Sequence, residues 1–269
     1  MKFLIQKIDK EVRHDFSFTL LESIRYQKWF QQDPKAVTVK YVNCLADDKV
    51  WFFKPYHEHY VPVGSVEFVL SWMKRFGVPT PPPMNIPEVL INYSTMTIDC
   101  MQRKVFNGNH MDIEDLAHGK YFVKTNDRFK GFAEVLRIDD NHSWSIPAGN
   151  YQISEHMDIK SEWRAFVYKG ELVGLQNYSG DFTRYPSTWV IKETIKAFTT
   201  APIAYTLDVG VGKAEHHKKY GFHLKNQTFV IECHDFFSCG LYGFAEHKIY
   251  PYMLYRWFHE YLNKNRNGK

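Results

Sequence analysis

The chain has 269 residues, of which 44% are hydrophobic and 17% aromatic, and a formal net charge of +4 from 34 basic and 30 acidic residues. This composition excludes a disordered or fibrous chain, and the length allows a large core, built as one domain or as two lobes around a cleft. The mild charge permits an anionic or acidic ligand without the footprint that would point to nucleic acid. FLIQKI reads as a strand, SFTLLESIRYQKWFQQ as a helix and AVTVKYVN as a second strand, so the chain opens with α/β alternation. VEFVLSWMKRFGV, from Val66, has helical spacing and ends near Gly77. The TPPPMNIP that follows is an extended linker, because consecutive prolines lack amide donors and fix φ.

Residues 89–180 read mainly as short strands, among them YFVKT, GFAEVLRI, YQISEHM and WRAFVYKGELVGLQNYSG. Within the last of these, a turn at Gly170-Glu171 joins AFVYK and LVGLQN into a hairpin. STWVIKETIKAFTTA reads as a helix capped by Ser187 or Thr188, with Trp189, Ile191, Ile195 and Phe198 as its apolar stripe. AYTLDVGVG and TFVIECHD are apolar strands that end in carboxylates, and IYPYMLYRWFHEYL closes the chain as an aromatic helix. Cys44, Cys100, Cys233 and Cys239 lack CxxC spacing and are too few for a disulfide scaffold. A reducing compartment, the cytoplasm, is therefore expected. No segment approaches the roughly 20 apolar residues that would span a membrane.

Chemistry concentrates at the two carboxylate-ending strands. Alternation puts Asp208 on the opposite phase to Leu207 and Val209, and Glu232 opposite Ile231 and Cys233. If the strands are neighbours, both carboxylates enter one cleft beside His234 or Asp235. Such a cluster needs a cation to offset its own repulsion, and hard oxygen donors suit magnesium. The alternative is that each carboxylate turns to solvent where its strand ends. A zinc site from Cys233, His234 and Cys239 is disfavoured, because adjacent residues of a strand point to opposite faces.

Basic groups cluster earlier. Arg103 and Lys104 precede an Asn-Gly turn, while Lys124, Arg128, Lys130 and Gly131 surround a polar loop that could approach phosphate. Neither a Walker A nor a dinucleotide glycine motif is present. Glu155 sits at a hinge position. Glu162 and Arg164 share a strand face, so they pair either in the cleft, with the arginine clamping phosphate, or as a structural pair at the sheet surface.

The order Lys104, Lys124, Glu155, Glu162, Arg164, Asp208, Glu232 resembles that of the ATP-grasp superfamily, in particular its divergent clade with one arginine and two lysines, over roughly residues 85–245. The resemblance implies an α+β fold in which two α/β lobes enclose a nucleotide cleft. The smaller lobe would span about 85–153 and the larger about 154–269, after a small N-terminal α/β domain over 1–84. It implies ATP and magnesium as cofactors. Lys104 and Lys124 would contact the phosphates, with Lys130 beside them, and Glu155 would lie near adenine and ribose. Arg164, with Glu162 beside it, would face the reacting phosphoryl group. Asp208 and Glu232 would ligate metal.

The family's final element commonly reads Glu-x-Asn, whereas this chain has Glu232-Cys233-His234, which leaves His234 or Asp235 as the third metal ligand. The implied reaction is activation of an acceptor carboxylate as acyl phosphate for attack by an amine or another nucleophile, with release of ADP and phosphate. The partners are then ATP and two unidentified substrates, a peptide or protein among the candidates. Two other functions compete. One is a covalent lysine nucleotidyltransferase of RNA-ligase type, since KTNDR is similar to that family's adenylation motif without its glycine. The other is a catalytically impaired ATP-binding or assembly protein.

Overall fold

The computed structural model describes residues 1–32, 37–44, 53–93, 99–139, 145–214, 227–237 and 239–266. Ala36, at the head of the expected second strand, and Ser238, in the loop after TFVIECHD, lie outside them. In chain order the elements are β1 (Lys2–Lys7), α1 (Asp15–Gln31), β2 (Thr38–Asn43), β3 (Val61–Val63), α2 (Val66–Arg75), α3 (Glu88–Ile91), β4 (Val105–Asn109), α4 (His110–Glu114), β5 (Gly119–Thr125), β6 (Ala133–Ile138), β7 (Asn150–Glu155), β8 (Met157–Tyr168), β9 (Glu171–Gly180), α5 (Thr188–Ala197), β10 (Ala204–Ala214), β11 (Gln227–Asp235) and α6 (Tyr250–Arg266). They fall into two compact units, one of residues 1–81, 202–205 and 235–269, the other of residues 82–201 and 206–234.

The first unit is built on a parallel sheet of order β2-β1-β3. Its central strand buries Phe3, Leu4 and Ile5 completely, as expected of a parallel strand covered on both faces. Ser65 Oγ caps α2 by accepting from Phe68 N at 3.2 Å. The helix ends at Gly77 with φ +65°, where Val78 N donates to Met73 O, a left-handed stop that a β-carbon would strain. α6 brings Trp257 and Phe258 against Phe237, and Phe258 meets Trp72 edge to face at 6.2 Å between ring centroids.

The second unit holds two four-stranded sheets, of order β4-β7-β5-β6 and β11-β10-β8-β9. Period-two alternation divides the first. Val123 and Ile153 turn to a core completed by Ile113 of α4, Leu136 and Tyr151, while Phe122, Lys124, Val135, Gln152 and Ser154 turn the other way. In the second sheet β8 and β9 form a hairpin. Tyr168 pairs with Glu171, so the turn is Lys169-Gly170, with φ +53° and +75°, one residue earlier than the sequence suggested. Ser187 Oγ caps α5, which buries Ile191, Ile195 and its C-cap Phe198. Trp189, expected in that stripe, is exposed, because two residues before Ile191 it lies about 200° around the helix from the buried face.

The outer edge of β11 is covered by two extended segments. Cys233 N donates to Asn85 O and Val230 N to Cys100 O. The proline-rich entry to this unit therefore docks on the strand that carries Glu232. All four cysteines are buried and free. Among the described residues, no helix is long and apolar enough to cross a membrane.

Candidate functional site

A cavity of about 310 Å³ lies within the second unit, lined by both of its sheets. From the first sheet come Phe122, Lys124, Val135, Gln152, Ser154 and Glu155, and from the second Ile159, Glu162, Tyr178, Ile231 and Glu232. The lining is apolar with a few convergent charges, the usual make-up of a small-molecule site. Its entry segment is fixed by carboxamides. Gln152 donates to Ile86 O at 2.8 Å and accepts from Ile86 N at 3.0 Å, and Asn85 donates to Asn126 Oδ1 and Thr125 O.

The charged groups form a row across the second sheet. On β11, Glu232 and His234 are two residues apart and share a face. On the adjacent β10 lies Asp208, only 1% exposed. Next, on β8, Arg164 places its guanidinium fork on that carboxylate, Nε to Oδ1 at 2.8 Å and Nη2 to Oδ2 at 2.7 Å. Glu162, on the same face of β8, accepts from Tyr178 Oη of β9 at 2.8 Å. Arg164 and Glu162 do share a face as expected, but the fork engages Asp208. The neighbouring strand offers two carboxylate oxygens side by side, which suits a planar fork. From the opposite sheet Lys124 reaches Glu232 through Nζ.

His234 stands between the two carboxylates. Its Nε2 is 3.1 Å from Glu232 Oε1 and 3.5 Å from Asp208 Oδ2, yet this buried atom has no hydrogen-bond partner. Burial would lower the imidazole pKa, but the facing carboxylates outweigh it and raise it to about 9. Burial would likewise raise Glu232, but His234 and Lys124 outweigh that and hold it at about 2. Desolvation, reinforced by Asp208 and Glu162, pushes the Tyr178 phenol far up, so it remains a donor to Glu162. Three carboxylates, Asp208, Glu232 and Glu162, thus face three cationic groups, Arg164, His234 and Lys124, and the cluster is neutralised from within.

The same residues fit a divalent cation. One donor atom each from Asp208, Glu232 and His234 lie within 4.8 Å of one another, and a cation held there would take the place of the proton that His234 carries between the two carboxylates. Carboxylate oxygens suit magnesium, while an imidazole suits the later divalent metals better. Asp235 is not one of this group; its Oδ1 accepts from Trp257 Nε1 at 3.1 Å, inside the first unit.

Other residues singled out by sequence lie elsewhere. Lys104 is exposed, with Nζ 5.3 Å from the Phe106 ring, and its backbone amide donates to Glu155 Oε2. Lys130 is exposed at φ +51° in the loop before Gly131 and does not line the cavity. Much of the lining had no site role assigned from sequence, Arg103 and Tyr178 included, although Arg103 stood among the clustered basic groups. Arg103, rather than Lys104, enters the cavity wall, donating to Val230 O at 2.8 Å with its guanidinium 5.2 Å from the Phe229 ring. Burial lowers its pKa to about 10, so it stays cationic at neutral pH. Tyr178 is the extra residue of a β-bulge, since Glu162 pairs with Ser179 but Trp163 with Asn177. A bulge re-aims the side chain it adds.

Residues 101–251 match the ATP-grasp domain, R2K clade family 2. Among solved structures, D-alanine–D-alanine ligase from Bacillus anthracis complexed with ATP is similar over 100% of both chains, with TM-score 0.50 and 9% identity. A second structure of the Bacillus anthracis enzyme gives 0.50 and 10% over the same coverage. N5-carboxyaminoimidazole synthetase from Staphylococcus aureus gives 0.41 and 12%, over 87% of this chain and 71% of that one. No curated protein matches the chain.

Proposed function

The chain belongs to the R2K clade of the ATP-grasp superfamily, and from that premise we propose that it is an ATP- and divalent-metal-dependent ligase that activates an acceptor carboxylate as acyl phosphate. The observation that carries this reading is the row Glu232, His234, Asp208, Arg164, faced by Lys124, at a cleft within one compact unit. A carboxylate is a poor electrophile until phosphorylation supplies a leaving group. Transfer of the terminal phosphoryl group to a carboxylate oxygen breaks its bond to ADP, and attack by a nucleophile then expels phosphate.

Arg164, its Nε and Nη2 held by Asp208, would direct the charge of its guanidinium at the oxygens of that phosphoryl group, and Lys124 offers a compact charge suited to the polyphosphate. Phe122, Val135 and Ile159 offer an apolar bed for a purine, with Glu155 placed for the ribose. Asp208, Glu232 and His234 would hold the metal, which when bound offsets phosphate charge as a Lewis acid. We place the reaction in the cytoplasm, where buried free thiols persist.

The test is mass spectrometry of a broad library of carboxylates and amines, peptides included, incubated with the protein, ATP and magnesium or manganese, together with nucleotide analysis. A condensed product paired with ADP is expected. AMP with pyrophosphate, or a lysine–AMP adduct that survives denaturation, would replace ligation by adenylation. Stoichiometric ATP binding without turnover across the library would make the chain a binding or assembly protein, with His234 in the place of the family's Asn as the reason.

A further inference from the structure

In the first unit, far along the chain from the nucleotide cleft, α1 buries Phe16, Leu20, Ile24 and Gln27 and leaves its opposite face open. Phe18 and Trp29 are 60% and 73% exposed, well above what isolated surface aromatics need for packing. Between them Glu22 and Arg25 face solvent as an exposed pair at 2.7 Å. Phe18, Glu22, Arg25 and Trp29 follow the spacing i, i+4, i+7, i+11, which places all four on one stripe of a helix. The stripe reads the same from either end: an aromatic, a charge, the opposite charge, an aromatic.

We infer that this stripe is the contact surface of a symmetric dimer, in which α1 of one copy packs antiparallel on α1 of a second copy. A two-fold axis between Glu22 and Arg25 brings Phe18 of each chain against Trp29 of the other, and Glu22 against Arg25. The surface is thus self-complementary in both charge and apolarity, the defining property of an isologous contact. At the Trp29 end Tyr26 lies 5.9 Å from the Trp29 ring and is stacked at 5.9 Å on exposed Phe30. This aromatic cluster widens the seat for the incoming Phe18. The occupant is a copy of the chain because the stripe, read antiparallel against itself, sets Glu22 on Arg25 and Arg25 on Glu22. A single helix pair is at the small end of specific interfaces, so association is concentration-dependent, with Kd on the order of 10 µM.

Sedimentation equilibrium of the full chain, from about 1 to about 300 µM to bracket that range, is expected to show the mass rising from one chain to two. Glu22→Arg makes both central positions positive and Arg25→Glu makes both negative, so each variant alone should dimerise at least tenfold more weakly. Mixed in equal amounts, and distinguished by tags in native mass spectrometry, the two should form a heterodimer, since each then meets the opposite sign at both positions. Neither variant keeps the Glu22–Arg25 pair within one chain, so recovery on mixing reports pairing between chains. Trp29→Ala should also weaken the dimer at least tenfold with an unchanged circular dichroism spectrum. A wild-type chain that stays monomeric throughout, charge variants that dimerise as well as wild type, or a mixture of folded variants that forms no heterodimer would each overturn the inference.

Discussion

Asp208 carries two duties that pull its substitutions in different directions. Its carboxylate is almost fully buried and saturated by the Arg164 fork, so Asp208→Asn leaves a buried guanidinium without its counter-charge. That should cost about 3–5 kcal/mol of stability, read from urea unfolding of the two proteins at pH 7.5. Glu232→Gln touches a more open pair and should spare the fold while lowering metal-dependent ATP binding more than His234→Asn does, since it removes an anionic donor. Lys124→Met keeps most of the side-chain length but not the charge, so ATP affinity by calorimetry should fall about tenfold or more, roughly 1.4 kcal/mol. Equal ATP affinity in the folded Met variant would remove Lys124 from the phosphate site. At this scale the sequence was informative where strand parity decides direction: Asp208 and Glu232 lie on neighbouring strands and point the same way. Both strands nevertheless run on past the carboxylates, β10 to Ala214 and β11 to Asp235, instead of ending at them as expected. It was uninformative where direction depends on a neighbour that only the fold supplies. Nothing local separates Arg103 from Lys104, and only the packing of Arg103 on Phe229 and Val230 turns it into the cavity wall.

Elements were legible in proportion to their length and burial. α1, α2, α5, α6 and the long strands of the second unit carry unbroken apolar periodicity, and each is present within a few residues of its expected bounds. β3 and α3 are three and four residues long, too short to show a period. β4 and α4 were hidden because FNGN reads as a turn. Its Asn-Gly is instead held extended by pairing with β7, and Asn109 then caps α4 in a reciprocal bond with Asp112. The bulges at Val173 and Tyr178 are likewise properties of two strands together, so hairpin counting from Lys169-Gly170 goes out of register from Val173 onward. Close approach between strands makes Gly212 a sharper test of the second sheet than any apolar residue. A β-carbon there would lie 2.2 Å from Asp158 O and 3.0 Å from Ile159 Cα, both backbone and unable to yield cheaply. Gly212→Ala should therefore destabilise by about 1–3 kcal/mol or more and weaken ATP binding, because β10 carries Asp208. Gly77→Ala has open space around it and only its left-handed φ to strain, so it should cost about 1 kcal/mol and leave ATP binding unchanged.

The whole molecule is already positive at neutral pH and holds 13 histidines, so acidification adds like charge to a chain with little to offset it. One of them, His57 in the first unit, is buried where a proton would be costly. It is 5% exposed, ringed by Phe53, Tyr56 and Tyr60, and its Nδ1 accepts from the Lys54 amide at 3.2 Å. Burial first, then the charges of Lys40 and Lys54, lowers its pKa below the ordinary 6.5. With the folded pKa depressed, the unfolded chain takes the proton first. The stabilising contribution of neutral His57 is therefore complete above pH 6.5 and is lost as pH falls through the folded-state value. One proton limits the slope to about 1.4 kcal/mol per pH unit. His234, with its pKa raised to about 9, contributes the opposite way, adding stability as pH falls towards 6.5. The His57 loss is therefore read as a difference between two proteins in urea unfolding at pH 7.5, 6.5 and 5.5. His57→Asn keeps an acceptor for Lys54 but cannot titrate, so its stability should fall less, or rise more, over this series than that of the wild type, even if its stability at pH 7.5 is lower. An identical slope in both proteins would place the acid sensitivity in the summed surface charge, and raising the salt concentration should then flatten both curves alike.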